Sequence, residues 1–226
     1  RDGNFIARRK GGVTKKRIQN DPKYQRTREN LIEFAESAAS AKFLKNAFRE
    51  IELKSNGGKL HNRLYSMVMK VVKTDTVNVR GERKFDQGDL SLMVGFQFSE
   101  KAVLNNVVKV KPTILDEAGS FSVTIPELVP SKYLLYSQGS TFYRFSLIRA
   151  GIDFAQQDYT SEIATIEPLP IQNVMAPAVT LTLPKPAIEG EKYFFALALE
   201  FFLDVNGDKY DLNDLAQNPA AILSVS

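Results

Sequence analysis

From about Thr27 to Leu53 the apolar residues Leu31, Phe34, Ala38, Ala41, Leu44, Phe48 and Ile51 recur three or four positions apart, the period of one helix face. The spacing predicts an amphipathic helix whose alanine-rich middle (Ala35, Ala38, Ala39, Ala41) lets another element approach closely. Asn20-Asp21-Pro22 supplies a turn and a first-turn proline ahead of it. Ser55-Asn56-Gly57-Gly58 ends it, glycine suiting the left-handed position after a helix. Leu60, Leu64, Met67, Val68 and Val71 then mark a second helix, so residues 26–84 read as a helical hairpin.

Beyond Gly81 the period shifts towards two and turn residues multiply. Leu90–Phe98 alternates, Val107–Lys111 does so more weakly, and Phe121–Ile125 is a clean strand stopped by Pro126. Further strands are expected at Thr141–Arg149, Ile152–Ala155, Ser161–Glu167, Ala178–Leu183, Tyr193–Leu203 and Ala221–Val225. Seven or more short strands with Gly, Pro, Asn and Asp between them predict an antiparallel β-sandwich over residues 85–226. The fold class is therefore α+β: a basic arm at 1–25, the helical hairpin, then the sandwich.

Composition narrows the chemistry. The 226 residues are 43% hydrophobic, enough for a substantial core, and contain no cysteine and one histidine, His61. Disulfides, thiolate metal sites and cysteine nucleophiles are excluded, as are multi-histidine metal sites. No apolar run approaches the roughly 20 residues of a membrane helix, because Glu200 interrupts the longest one, Tyr193–Leu203. The chain is expected to be soluble, and Arg1 and the residues after it do not read as a signal peptide, so residues in front of Arg1 or processing of the chain are expected.

The net charge of +4 conceals a division. Residues 1–84 hold 21 Lys/Arg and 9 Asp/Glu, a balance of +12, whereas residues 85–226 hold 9 and 17, a balance of −8. The first 30 residues alone carry 10 basic and 3 acidic side chains. With only Phe5, Ile6, Val13, Ile18 and Tyr24 as larger apolar groups, residues 1–25 are expected to stay mobile or to order on a partner.

No catalytic pattern emerges. Asp204, Asn206, Asp208, Asp211, Asn213 and Asp214 are a dense set of oxygen donors, but a calcium loop needs glycine after its third ligand, and Lys209 stands there. Asn206-Gly207 between Phe201-Phe202-Leu203 and Lys209-Tyr210 is instead a hairpin turn. His61 beside Asn62 and Arg63 lacks partners for acid–base work, Asp116-Glu117 lies in a turn, and no G-x-S-x-G elbow or phosphate loop occurs. With no tryptophan to stack on sugar rings, a carbohydrate-binding role loses ground. No cofactor, metal or catalytic residue is implied.

The basic segment carries the functional expectation, with Arg8, Arg9, Lys10, Lys15, Lys16, Arg17, Arg26 and Arg28 as candidate partner-binding residues. A charge run is a solvated tail in its plainest reading. Against nucleic acid it would neutralise phosphates, although only Phe5 and Tyr24 could stack on bases. Against the −8 half of a neighbouring copy it would make a head-to-tail contact, leading to a ring or filament.

The run Asp21-Pro22-Lys23-Tyr24-Gln25-Arg26-Thr27-Arg28-Glu29-Asn30, followed by Ala41-Lys42-Phe43-Leu44 and Ala47-Phe48-Arg49, resembles the start of a family of uncharacterised proteins common in Bacteroidota. Phe142-Tyr143-Arg144-Phe145, Ile152-Asp153-Phe154 and Leu199-Glu200-Phe201-Phe202 are similar to later parts of the same family. The resemblance implies a bacterial origin and this order of elements, and assigns no activity. The expected function is a non-enzymatic bacterial structural protein whose subunits self-assemble into an oligomer, filament or shell. A nucleic-acid-associated protein is the alternative.

Overall fold

The computed structural model of the protein describes residues 12–55, 58–212 and 217–226. Within them a short helix α1 (Lys15–Asn20) and a single 3-10 turn (Pro22–Tyr24) lead into α2 (Gln25–Ala47), α3 (Arg49–Lys54) and α4 (Leu60–Val72). The rest carries the antiparallel strands, with one-turn helices α5 (Leu104–Val107) and α6 (Pro130–Tyr133) in their connections. Strands β1 (Thr113–Asp116), β2 (Ser120–Ile125) and β6 (Val179–Pro184) form a three-stranded sheet in the order β1-β2-β6. Strands β3 (Phe142–Asp153), β4 (Asp158–Thr165), β5 (Leu169–Pro170), β7 (Lys192–Val205), β8 (Asp208–Asp211) and β9 (Ala220–Val225) make a six-stranded sheet built on β4-β3-β7.

The two sheets pack as a sandwich, and the helices cover the second face of the larger one. Alternation along β3 and β7 shows how. Ile148, Ala150, Ile152, Phe194, Ala196 and Ala198 enter a core with Leu44, Phe48, Leu64, Val68, Val71 and Phe85 from the helical side. The intervening residues Tyr143, Phe145, Leu147, Phe195, Leu197 and Phe201 enter a second core with Phe121, Val123, Ile125, Leu181 and Leu183 from the small sheet. Strands buried on both faces read as continuous apolar runs, which is why Tyr193–Leu203 is almost unbroken.

Several expected elements are corrected. The helix over Thr27–Leu53 is two helices, broken at Phe48, whose amide bonds back to Leu44 and Asn46 carbonyls. Leu90–Phe98 is not a strand: Asp89 accepts from the Ser91 amide at 3.1 Å and starts a 3-10 turn over Leu90–Met93. Gly95, at φ +85°, then turns the chain so that Gly95 and Phe98 donate to Ile222 and Ala220 carbonyls along the edge of β9. Val107–Lys111 is likewise not a strand, since Leu104–Val107 forms a helical turn. The expected strands Thr141–Arg149 and Ile152–Ala155 are one continuous strand, β3. The Asn206-Gly207 hairpin forms as expected, both residues having the positive φ (57° and 97°) of a tight hairpin turn.

Candidate interaction surface

Helix α2 is turned differently from its apolar periodicity. Its buried positions begin with Glu33, Ser37 and Ser40, and only then come Ala41, Leu44 and Ala47. Leu31, Ile32 and Phe34 are instead 53%, 56% and 46% exposed. The cause lies some fifty residues later. Glu29, Glu33 and Glu36, on one side of α2, face Arg80, Arg83 and Lys84 at 3.5, 3.9 and 3.1 Å. Glu33 also accepts the Gly81 amide at 3.0 Å, and Asn30 accepts from Arg80 at 2.7 Å. A buried carboxylate needs such donors, so once the basic loop docks, the acidic side of α2 must face inward and the apolar side outward.

Asp75 holds that loop. Only 2% exposed, its carboxylate accepts from the amides of Val77, Asn78 and Lys84 at 2.8, 3.1 and 2.9 Å and from Asn78 Nδ2 at 2.8 Å. Burial alone would raise its pKa, but these donors outweigh it and bring it down to about 2. A folded pKa below the unfolded value means stability that is present above about pH 4 and lost as pH falls through 2. Asp75→Ala is expected to cost about 1–3 kcal/mol at pH 7 by leaving amide donors unsatisfied. Chemical denaturation between pH 2 and pH 7 should show the difference from wild type shrinking towards pH 2, whereas a constant difference would contradict this role.

The candidate basic residues divide. Arg8, Arg9 and Lys10 lie outside the described residues. Lys15 and Lys16 are exposed on α1, a helix that Thr14 caps by accepting the Arg17 amide at 3.3 Å. Arg17 reaches Asp21 at 3.3 Å and Arg26 reaches Glu29 at 3.6 Å. Arg28 turns inward, donating to the carbonyls of Ile18 at 2.7 Å and Asp21 at 3.0 Å, and so pins α1 against the first turn of α2. The described part of the basic segment is thus largely helical and docked in part.

Leu31 and Phe34 consequently share an outward side of α2, and Lys23, Arg26 and Lys42 are also exposed in this part of the chain. The acidic residues of this half of α2 all point the other way, into the loop. Helical periodicity singles out Leu31 and Phe34 as core, and only the i, i+4, i+7 spacing of Glu29, Glu33 and Glu36 hints at a second, inward polar side. A further basic stripe, Lys59, Arg63, Lys70 and Lys73, runs along the outer side of α4. Arg63 is fixed there by donating to Gln97 and Phe98 carbonyls at 2.6 and 2.5 Å.

A small cavity of about 20 Å³ between α3 and the large sheet, lined by Ile51, Ser146, Ile148 and Asn218, has room for one water molecule. His61 is exposed at the start of α4. Asp204 accepts from Lys209 at 2.5 Å and from the Gly207 amide at 3.0 Å, contacts that hold its carboxyl below the usual carboxylate range. Among the described residues no group of three or more His, Asp or Glu side chains is placed to hold a metal ion, and no helix is long and apolar enough to cross a membrane. No protein-family profile, no curated protein and no solved structure matches the chain.

Proposed function

We propose that the protein is a non-enzymatic bacterial structural subunit that self-associates through its N-terminal helical segment to build an oligomer, filament or shell. The observation that carries this reading is the outward face of α2. Leu31 and Phe34, three positions apart and each about half exposed, lie together on one side of α2, and Ile32 is exposed beside Leu31. Grouped exposed apolar residues with a polar rim are the mark of a protein contact, since leaving them in water forgoes about 25 cal/mol per Å² of burial. The division of charge adds a partner of the right sign, because the other half of a second copy carries −8.

Sedimentation velocity over a range of concentrations tests the reading. The wild type is expected to grow in size with concentration, and Leu31→Gln/Phe34→Gln to remain a monomer with an unchanged melting temperature. A wild type that stays monomeric at every concentration would sink it.

The alternative, association with nucleic acid, is favoured by one observation: the stripe of Lys59, Arg63, Lys70 and Lys73 and the exposed Lys15 and Lys16 offer cations to a phosphate backbone. Binding to duplex DNA or RNA should then weaken steeply with salt. Lys15→Ala/Lys16→Ala should reduce the log–log slope by roughly 0.9 for each phosphate that these lysines neutralise in the wild type. A slope unchanged by that pair would remove the N-terminal segment from any such interaction.

A further inference from the structure

An open groove of about 430 Å³ runs between α4 and the turn Gly95–Gln97. Lys59, Asn62, Arg63, Ser66 and Lys70 form its helical side, spaced so that they follow one another along one side of α4. All but Arg63, which is half-buried, are exposed. Of the described residues that line the groove, three are cations and none is a carboxylate. The helix itself contains no Asp or Glu.

Both sides are fixed. Gly95 and Phe98 each donate at 2.8 Å to the carbonyls of Ile222 and Ala220, and the Ile222 amide donates to the Phe96 carbonyl at 3.0 Å, which holds the turn on the edge of β9. Arg63 joins the two sides by donating to the Gln97 and Phe98 carbonyls, its guanidinium 5.7 Å from the centre of the Phe96 ring. These partners are neutral, and Arg63 Nε, shielded from water, has no partner among the described residues. Burial lowers the Arg63 pKa, while Glu100 acts in the opposite sense without reaching ion-pair distance. A cation partly withdrawn from water, with no counter-charge in contact, is stabilised by an anion placed before it.

From Lys59 to Lys70 the helix rises about 17 Å at roughly 1.5 Å per residue. Three cations over that length suit a chain of anions rather than a single one, and a stacked nucleic-acid strand carries a phosphate about every 3.4 Å. The shape of the site selects among such chains. A helix reads duplex DNA by entering a groove about 12 Å wide, and the Gly95–Gln97 wall stands beside the charged side of α4 where a duplex would have to pass. A single strand can instead lie along the channel. The one aromatic ring in the lining, Phe96, is 6% exposed, so contact is with the backbone rather than with stacked bases and carries no sequence preference.

Resting on the nucleic-acid reading, and independent of self-association, we infer that this groove is a binding site for single-stranded nucleic acid. Lys59 and Lys70 neutralise phosphates towards its two ends, Arg63 holds the charge between them, and Asn62 donates to a phosphate or sugar oxygen.

Fluorescence anisotropy of the full chain with a labelled single strand of about 12 nucleotides, between about 50 and 200 mM salt, tests the site. Lys59→Ala/Lys70→Ala alters two exposed side chains. It is expected to weaken binding about tenfold or more at the lowest salt and to lower the log–log slope by about 1.4, at roughly 0.7 for each of two phosphates. A mixed-sequence strand and a homopolymer should bind alike, and a duplex of the same length more weakly. Lys111→Ala/Lys132→Ala, which removes two exposed lysines of the β-rich part, should leave the affinity within about twofold. Three results would each overturn the groove while leaving the nucleic-acid reading standing: a groove pair that binds like wild type, a control pair that loses as much as the groove pair, or a duplex that binds more tightly than the single strand. A wild type that binds neither form at about 50 mM salt overturns both.

Discussion

Replacing Phe195 by alanine is expected to destabilise the protein by about 3–5 kcal/mol and to lower its melting temperature by on the order of 10 °C. Phe195 is fully buried at the middle of β7 and stacks on Phe121 at 4.2 Å and 19°. It therefore joins the two sheets at the centre of the sandwich core. Removing the ring forfeits both its transfer from water and its packing, because β2 and β7 are fixed by their own ladders and cannot close the gap. Phe34→Ala supplies the contrast. Its ring is 46% exposed, so the expected change in stability of the monomer is about 0.5 kcal/mol or less, while the proposed self-association is expected to be lost. Urea denaturation of the two variants at low protein concentration separates them, and a cost below about 1.5 kcal/mol for Phe195→Ala would show that the sheets repack freely.

Glu200→Ala is the second large effect, expected at about 2–4 kcal/mol. Glu200 is 3% exposed and lies between two cations. Arg144 donates to Oε2 from Nε at 2.8 Å and from its terminal nitrogen at 2.7 Å, and Lys54 reaches Oε1 at 3.2 Å. Without the carboxylate, two positive groups are left facing each other at the seam between α3 and the large sheet. Lys54 is more than a third exposed and can swing into water, which moderates the cost; Arg144, stacked over Phe202 at 4.9 Å, has less freedom. Asn218 still ties the seam, donating to the Lys54 carbonyl at 2.8 Å and accepting the Phe201 amide at 3.1 Å, so local loosening rather than global unfolding is expected. The double change Arg144→Leu/Glu200→Leu should recover much of the loss, since replacing a buried pair by apolar groups is often neutral. If Glu200→Ala and the double variant were equally unstable, the pair itself would not be the cause.

The parts of the fold legible in the sequence share one property: their determinants are local. Phe121–Ile125 alternates and stops at a proline, Asn206-Gly207 dictates its own turn, and Tyr193–Leu203 is too apolar for anything but a strand covered on both faces. Leu90–Phe98 also alternates, yet it is not a strand. Asp89 starts a 3-10 turn and Gly95 redirects the chain, while the tail of β9 supplies the hydrogen-bond partners that hold Gly95 and Phe98 as an edge. Two local signals competed there, and a distant backbone settled the outcome. The loop before it shows a different limit. Gly88 leaves no room for a side chain because a Cβ would collide with the Val71 carbonyl of α4, an approach visible only once the helix is in place.

The sequence by itself determined the elements with local causes, the division of charge into +12 and −8, and the absence of thiol and multi-histidine chemistry. Only the tertiary structure decided which side of α2 meets the core. Leu31 and Phe34 fit the helical period of the buried residues Leu44 and Ile51 equally well, so the pattern places all of them on one face. The helix break at Phe48 and the docking of Arg80, Arg83 and Lys84 against Glu29, Glu33 and Glu36 separate them. Periodicity counts only neighbours along the chain. Electrostatic pairing across about fifty residues set the rotation of the helix, and left outside the face on which the proposed assembly depends.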